Sequence, residues 1–323
     1  MAEIALKVRD LAVHFDTRVG TVRAVDGVDF DLFVGEKLGL VGESGSGKTT
    51  LALAIMRMIK SPGRVDKGSI LLGDLDLLSM TNTEMRELRS SEISMVPQGA
   101  MNALNPVRKV GAQIIDGLMD HGRGGDKESM KSAVQDLLEQ VDLDGEISDR
   151  YPHQLSGGMQ QRVTIAMAIS LGPKVIIADE PTSALDVVVQ RNVMDTFERV
   201  QAATGTSVIL VGHDMGLMAQ FNDRIAVMYA GRIVEIAPVE EIFARPQHPY
   251  SKLLVSSLPH TRNKEVMKGI PGLPPSLVET INGCPFNPRC PYVMDKCLTQ
   301  KPPQKETENN TKFACHLPIG SLS

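Results

Sequence analysis

The chain has 323 residues, 42% hydrophobic and 23% charged, a globular balance that suits one large domain with an appendage or two domains. A formal net charge of −5 argues against a surface built for nucleic acid, and 4% aromatics with no Trp argue against base stacking along single strands. No apolar run approaches the ~20 residues that span a bilayer, and "MAEIALKVRDLAVHF" lacks the apolar core of a signal peptide, so a cytoplasmic chain is expected, reaching any membrane through a partner.

From Ile4 to Phe33 the pattern is short and alternating, with turn residues around 18–20 and 26–27, which predicts antiparallel strands. A buried strand over Lys37–Val41 then runs into Gly42-Glu43-Ser44-Gly45-Ser46-Gly47-Lys48-Thr49, followed by helix formers from Thr50 to Ile59. This is G-x-x-x-x-G-K-[ST] in its required strand–loop–helix context. Glycines let the backbone curl so that its N–H groups converge on phosphate at a helix N-terminus. Lys48 is expected to neutralise the outer phosphates and the Thr49 hydroxyl to hold Mg²⁺. The chain is therefore expected to bind a nucleoside triphosphate.

Beyond the loop lies a largely helical middle segment from about 74 to 170. It contains the strand-like "ISMVP" and the amphipathic "SMKSAVQDLLEQV". The β-branched runs "KVIIAD", "TSVILVGH" and "RIAVMY", separated by helix-like stretches, carry the signature of a doubly wound parallel sheet. A hairpin over Tyr229–Ala237 and a helix around Val239–Ala244 close the domain. "GIPGLPPSL" and the proline-flanked cysteines after about His260 read as an irregular tail, and residues 301–312, "KPPQKETENNTK", as a solvated loop.

Several polar residues sit where this chemistry needs them. Asp179 ends an apolar strand, as expected for a carboxylate beyond the Mg²⁺ shell, and adjacent Glu180 faces the other way, toward an attacking water. His213 lies just past another strand, at the edge where ligands sit in open α/β sheets. Alone, His213, Gln98 and "SALD" (Ser183–Asp186) read as ordinary structural or solvated residues. The distinctive stretch is "YPHQLSGGMQQRVTIAMAIS", in which Ser156-Gly157-Gly158 opens a helix and makes a second anion-binding terminus. Two protomers facing head to tail would use both termini.

Cys284, Cys290, Cys297 and Cys315 all fall in the last forty or so residues. A reducing compartment disfavours a disulfide framework, so the clustering suggests a metal site. Four sulfur ligands suit Zn²⁺ or an iron–sulfur cluster, and the spacing C-x5-C-x6-C-x17-C fits neither paired zinc-ribbon nor ferredoxin runs.

Taken together, these motifs make Ile4 to about Leu258 resemble an ATP-binding cassette (ABC) ATPase. The resemblance implies an α/β fold with a mixed core sheet, an antiparallel β subdomain and a helical subdomain at about 99–170. It implies that Gly42–Thr49 with Thr50 cradle ATP, that Phe15 stacks on adenine, and that Gln98 contacts Mg²⁺ and senses the transport partner. Leu155-Ser156-Gly157-Gly158-Met159-Gln160 is then the signature acting in trans. Mg²⁺ is held through Thr49, Gln98 and Asp179, Glu180 is the general base and His213 the switch histidine. Ser183, Ala184, Leu185 and Asp186 form the dimer-contact loop.

A narrower resemblance covers almost the whole chain. "VGESGSGKTT", "YPHQLSGGMQQR", "ADEPTSALDV", "HPYSKLL" and the tail "CPFNPRCP…KC…CH" are similar to ATPase subunits of oligopeptide and dipeptide importers. That family implies a second, homologous ATPase as heterodimer partner, two membrane-spanning permeases, an extracytoplasmic binding protein and peripheral attachment at the cytoplasmic face of the membrane. Nucleic acid is not among the partners. It also implies a cassette over 1–258 and a cysteine-ligated region over 259–323 carrying [4Fe–4S], with Zn²⁺ the alternative. After Gln98 the chain reads "GAMNALNP", where many peptide importers have an acidic residue and then proline. Oligosaccharide and metal-chelate cargo therefore stay open beside peptide, and a soluble, non-transport ABC ATPase is the alternative of a different class.

Overall fold

The computed structural model describes residues 3–99, 103–183, 185–258 and 269–322. Contacts gather the chain into two units, one built on Leu32–Glu36 and Ser79–Ile209, the other on Leu6–Asp31, Lys37–Leu78 and Leu210–Ser323.

In the second unit, β1 (Ile4–Thr17), β2 (Gly20–Phe33), β4 (Gly63–Leu72) and β5 (Leu75–Asp76) form a four-stranded sheet in the order β2-β1-β4-β5. β1 and β4 run antiparallel from Leu6↔Leu72 to Phe15↔Gly63, with a bulge between Arg9 and Val13. Gly68 faces this bulge at φ +110°, where an added Cβ would lie 2.6 Å from the Leu11 Cα. Only glycine fits there.

The same unit carries β3 (Lys37–Val41), parallel to β9 (Arg224–Tyr229). β9 returns antiparallel into β10 (Arg232–Pro238) through Ala230 and Gly231, at φ +49° and +79°. Positive φ at both loop residues belongs to the tight hairpin turn that matches strand twist. The sequence expectation of a hairpin here holds. Helices α1 (Lys48–Ile55), α7 (Met215–Phe221), α8 (Val239–Ala244), α9 (Pro249–Ser256) and α10 (Asp295–Thr299) complete the unit.

The tail departs from expectation in one respect. Residues 301–312 are largely exposed, as expected, but they are not a loop throughout: β11 (Gln304–Glu306) and β12 (Lys312–Ala314) form a hairpin whose second strand pairs with β10, Phe313 opposite Glu235. Phe313 is buried while its strand neighbour Lys312 is exposed, so one inward aromatic anchors an otherwise polar ribbon.

In the first unit, β6 (Ile93–Val96) pairs in parallel with β7 (Val175–Asp179), both rich in buried Ile and Val. Around them lie α2 (Asn82–Leu88), α3 (Val110–Asp120), α4 (Lys127–Gln140), α5 (Gly157–Ile169) and α6 (Val187–Thr204). The predicted amphipathic helix is α4, which buries Met130, Val134, Leu137 and Leu138 at helical spacing. Side-chain caps start these helices: Thr81 with Glu84 for α2, Asp126 for α4, Ser156 for α5 and Asp186 for α6. β8 (Ser207–Gly212), fully buried, runs from the first unit into the second.

Candidate nucleotide site and cysteine segment

The phosphate loop is wedged into its own unit by missing side chains. A Cβ on Gly42 would lie 2.1 Å from the Met228 carbonyl oxygen, and one on Gly47 2.1 Å from that of Ala24. Both glycines have positive φ, so the motif's spacing is a backbone requirement here. Lys48 is buried and its Nζ donates to the Gly42 and Glu43 carbonyls at 2.8 and 3.0 Å, arched over the loop it belongs to. The Ser46 hydroxyl is buried without a hydrogen-bond partner, and Thr49 is exposed at the start of α1. A cradle of turned backbone, a curled ammonium and an unsatisfied hydroxyl suits an incoming polyanion.

Two contacts on this loop are not legible in the motif. The Glu43 N–H donates to Tyr250 Oη at 2.9 Å. The Glu43 carboxylate accepts from both terminal nitrogens of Arg289, at 2.6 and 2.9 Å. Arg289 lies in the cysteine segment, one residue before Cys290. His213, also in this unit, is exposed just past β8, followed by Asp214, whose carboxylate caps α7. Phe15 sits on β1 opposite Gly63, with its ring edge 2.5 Å from where a Gly63 Cβ would be.

The first unit holds the other candidates. Asp179 is buried at the end of β7. Glu180 follows at φ +43°, a left-handed backbone that side chains other than glycine seldom adopt. Gln98 Nε2 donates to Glu180 Oε2 at 3.0 Å. Ser156 caps α5, its Oγ accepting from the Met159 N–H at 3.3 Å. Gln160 turns back on the loop, donating to the Pro152 and Leu155 carbonyls at 2.8 and 3.2 Å. Gly157 and Gly158 face Leu185 and Val189, and a Gly158 Cβ would lie 2.5 Å from Val189 Cγ1. The signature stretch therefore packs against the segment that follows Ser183. Ala184 lies outside the described residues; Asp186 caps α6 through the Val188 and Val189 N–H groups at 3.1 and 3.0 Å. A cleft of about 240 Å³ opens between α3 and α5, lined by Ser94, Met95, Gln113, Ile114, Thr164 and Met167.

Cys284, Cys297 and Cys315 are buried, Cys290 is half-buried, and all four are free thiols. Burial pushes the Cys284 thiol up to about 12, and Cys297, Cys315 and Cys290 are near enough to add to the rise. Burial raises Cys290 and Cys315 as well. By residue type, four thiols in one segment are donors that suit a thiophilic metal. Among the described residues, no group of three or more His, Cys, Asp or Glu side chains is placed to hold a metal ion. Phe286, two residues past Cys284, joins Tyr229 and Tyr250 in a buried aromatic cluster with centroids 5.2 and 5.3 Å from its own. Tyr250 is the residue that holds the Glu43 N–H.

Residues 25–183 match the ABC transporter family, and residues 234–297 match the C-terminal region of oligopeptide/dipeptide transporters. The chain is 43% identical to the dipeptide transport ATP-binding protein DppD of Haemophilus influenzae, covering 97% of this chain and 96% of the relative. This chain belongs to the ATP-binding subunits of the oligopeptide and dipeptide ABC transporter family. A second member, the oligopeptide transport ATP-binding protein OppD of Escherichia coli, is 41% identical over 99% of this chain and 95% of its own length. A bacterial ABC transporter cassette solved as a dimer superposes with a TM-score of 0.65 at 26% identity, covering 72% of this ABC ATPase and 98% of that chain. The expected ABC cassette fold and ATPase class are thus established. Among the described residues no helix of the ABC ATPase is long and apolar enough to cross a membrane.

Proposed function

We propose that this ABC ATPase hydrolyses ATP to power the import of dipeptides or oligopeptides, as a peripheral subunit at the cytoplasmic face of the membrane. The observation that carries the cargo is the 41–43% identity to dipeptide and oligopeptide transport subunits over nearly the full chain, tail included. Its partners are a second, homologous ATPase, two membrane-spanning permeases and an extracytoplasmic binding protein.

Gly42–Thr49 and Thr50 take the phosphates, with Lys48 exchanging loop carbonyls for phosphate oxygens, and Phe15 takes the adenine. Thr49, Gln98 and Asp179 are the residues that would hold Mg²⁺, which would supply positive charge to offset that developing on the phosphoryl group. Glu180 accepts the proton of the attacking water and His213 contacts the γ-phosphate. Leu155–Gln160 completes the site of a partner ATPase, with Ser183–Asp186 at the contact. Val187 and Val188, 81% and 71% exposed beside Asp186, suit burial in such an interface. The helical segment around residues 99–170 is the part that grips the permeases.

We also propose that Cys284, Cys290, Cys297 and Cys315 ligate a [4Fe–4S] cluster. The support is four free thiols in one segment that resembles the importer tail, although among the described residues their side chains are not gathered around a metal position; Zn²⁺ is the alternative on the same donors. Protein purified without oxygen should be brown with about four irons per chain. Colourless protein with one zinc would replace the cluster with the alternative. For the transport reading, the test is uptake of labelled dipeptide and oligopeptide by cells with and without the gene, restored by wild type and not by Glu180→Gln. Unchanged peptide uptake alongside lost oligosaccharide uptake would move the cargo to that class.

A further inference from the structure

Glu43 is an awkward residue for a phosphate loop, because it sets a carboxylate on the backbone turn that must receive a polyanion. Its partner is Arg289, which uses all five of its N–H donors. Nη1 and Nη2 hold the two Glu43 oxygens at 2.6 and 2.9 Å, Nη1 also reaches Tyr229 Oη at 3.3 Å, Nη2 the Ile270 carbonyl at 3.2 Å, and Nε the Pro271 carbonyl at 2.9 Å. The Arg289 side chain is 2% exposed and that of Glu43 29%, so the pair is shielded on one side. The short 3₁₀ turn Asn287–Arg289 presents the guanidinium, with Cys284 and Cys290 flanking it. Asn287 Nδ2 holds the Cys284 carbonyl at 2.7 Å, and the Cys290 N–H returns to the Asn287 carbonyl at 3.4 Å.

We propose that Arg289 is a positioning residue for ATP binding: by holding and cancelling the Glu43 charge it keeps a carboxylate from repelling the phosphates, so the order of the Cys284–Cys290 turn sets how well the loop receives ATP. This deepens the reading of Gly42–Thr49 as the ATP cradle and rests on it. The tail is then a working part of the nucleotide site, although Arg289 and Glu43 are 246 residues apart. A purely structural ion pair and a charge-cancelling one differ in a measurable way. If Arg289 only props up the fold, removing both partners is at least as harmful as removing Arg289. If it cancels Glu43, neutralising Glu43 repairs the loss.

The test is equilibrium binding of a fluorescent ATP analogue to the full chain, with Lys48→Ala as the control for the cradle itself. Arg289→Gln is expected to weaken binding about tenfold, the scale of a lost charged hydrogen bond. Its KM for ATP should rise with kcat close to wild type, and Arg289→Lys should restore part of the affinity. Glu43→Gln/Arg289→Gln should bind within about threefold of wild type, less than the loss of one such bond. Cys290→Ser should weaken binding in the wild-type background and leave Glu43→Gln unchanged. Arg289→Gln binding like wild type while Lys48→Ala loses the analogue overturns the proposal, as does a double variant no better than Arg289→Gln. Should the double variant be unfolded by circular dichroism, Glu43→Gln alone decides: a tenfold or greater loss of affinity overturns the proposal, and retained affinity supports it. Unchanged binding in Lys48→Ala instead brings down the cradle reading, and this proposal with it.

Discussion

Gln98 and Glu180, 82 residues apart, share a hydrogen bond in which the Gln98 amide donates to the Glu180 carboxylate at 3.0 Å. The bond aims a carboxylate already held on a left-handed backbone. Glu180→Gln keeps an oxygen that can accept from Gln98, so geometry should survive while the capacity to take a proton is lost. Turnover should drop roughly 10²–10⁴-fold with ATP affinity nearly unchanged. Steady-state ATPase and analogue binding on the same preparation check this; equal turnover would remove Glu180 from its proposed role.

Gly158 supports the signature by having no side chain. An alanine would place Cβ 2.5 Å from Val189 Cγ1 and push α5 from α6. Gly158→Ala should cost about 1–3 kcal/mol of stability, and Val189→Ala should give back most of that in the double variant. Urea unfolding of the four proteins closes the cycle. Additive losses would show that the contact is not the cause.

His248 caps α9 with a neutral ring, its Nδ1 accepting the Tyr250 N–H at 3.1 Å. Complete burial lowers its pKa from 6.5 to about 3. Below pH 6.5 the unfolded chain takes the proton and the folded chain does not, so stability is full above pH 6.5 and drains as pH falls toward 3. At pH 5.5 the loss is about 1.4 kcal/mol. Buried Glu235 works in the opposite direction, since burial raises its pKa, so the reading comes from comparing proteins. His248→Asn keeps a capping oxygen and should lose less stability than wild type between pH 7.5 and 5.5. Parallel pH dependence in the two would exclude His248.

Phe313 is the anchor of the β11–β12 hairpin, fully buried and opposite Glu235. Phe313→Ala should cost about 3–5 kcal/mol. The loss should show first as protease cuts after Lys301, Lys305 and Lys312 at concentrations that leave α1 and β3 intact. Cuts spread evenly over the chain would mean that the hairpin is no local weak point.

What was legible in the sequence was local. The phosphate loop announces itself because its chemistry is backbone geometry over eight residues, and α4 because burial repeats with the helical turn. Phe313 was missed because a two-strand ribbon held by one aromatic has no periodicity above its lysines, glutamates and asparagines. Glu43 was missed in a different way: its position in the motif accepts any residue, so its partner could not be guessed. A carboxylate in the phosphate loop and an arginine inside "NPRCP" were the available hints. Neither identifies the other without the fold.

Adding β12 to β10 also changes what the surface of the molecule invites. Without residues 301–322, β10 would present a bare row of backbone donors and acceptors to any other extended chain. With them, the outermost ribbon is β11: three residues, Gln304-Lys305-Glu306, entered through Pro302 and Pro303. Short, charged and proline-led, it offers little to pair with. The cysteine-bearing tail thus covers an edge that would otherwise invite self-association, and a chain cut at Leu258 should aggregate more readily than the intact protein.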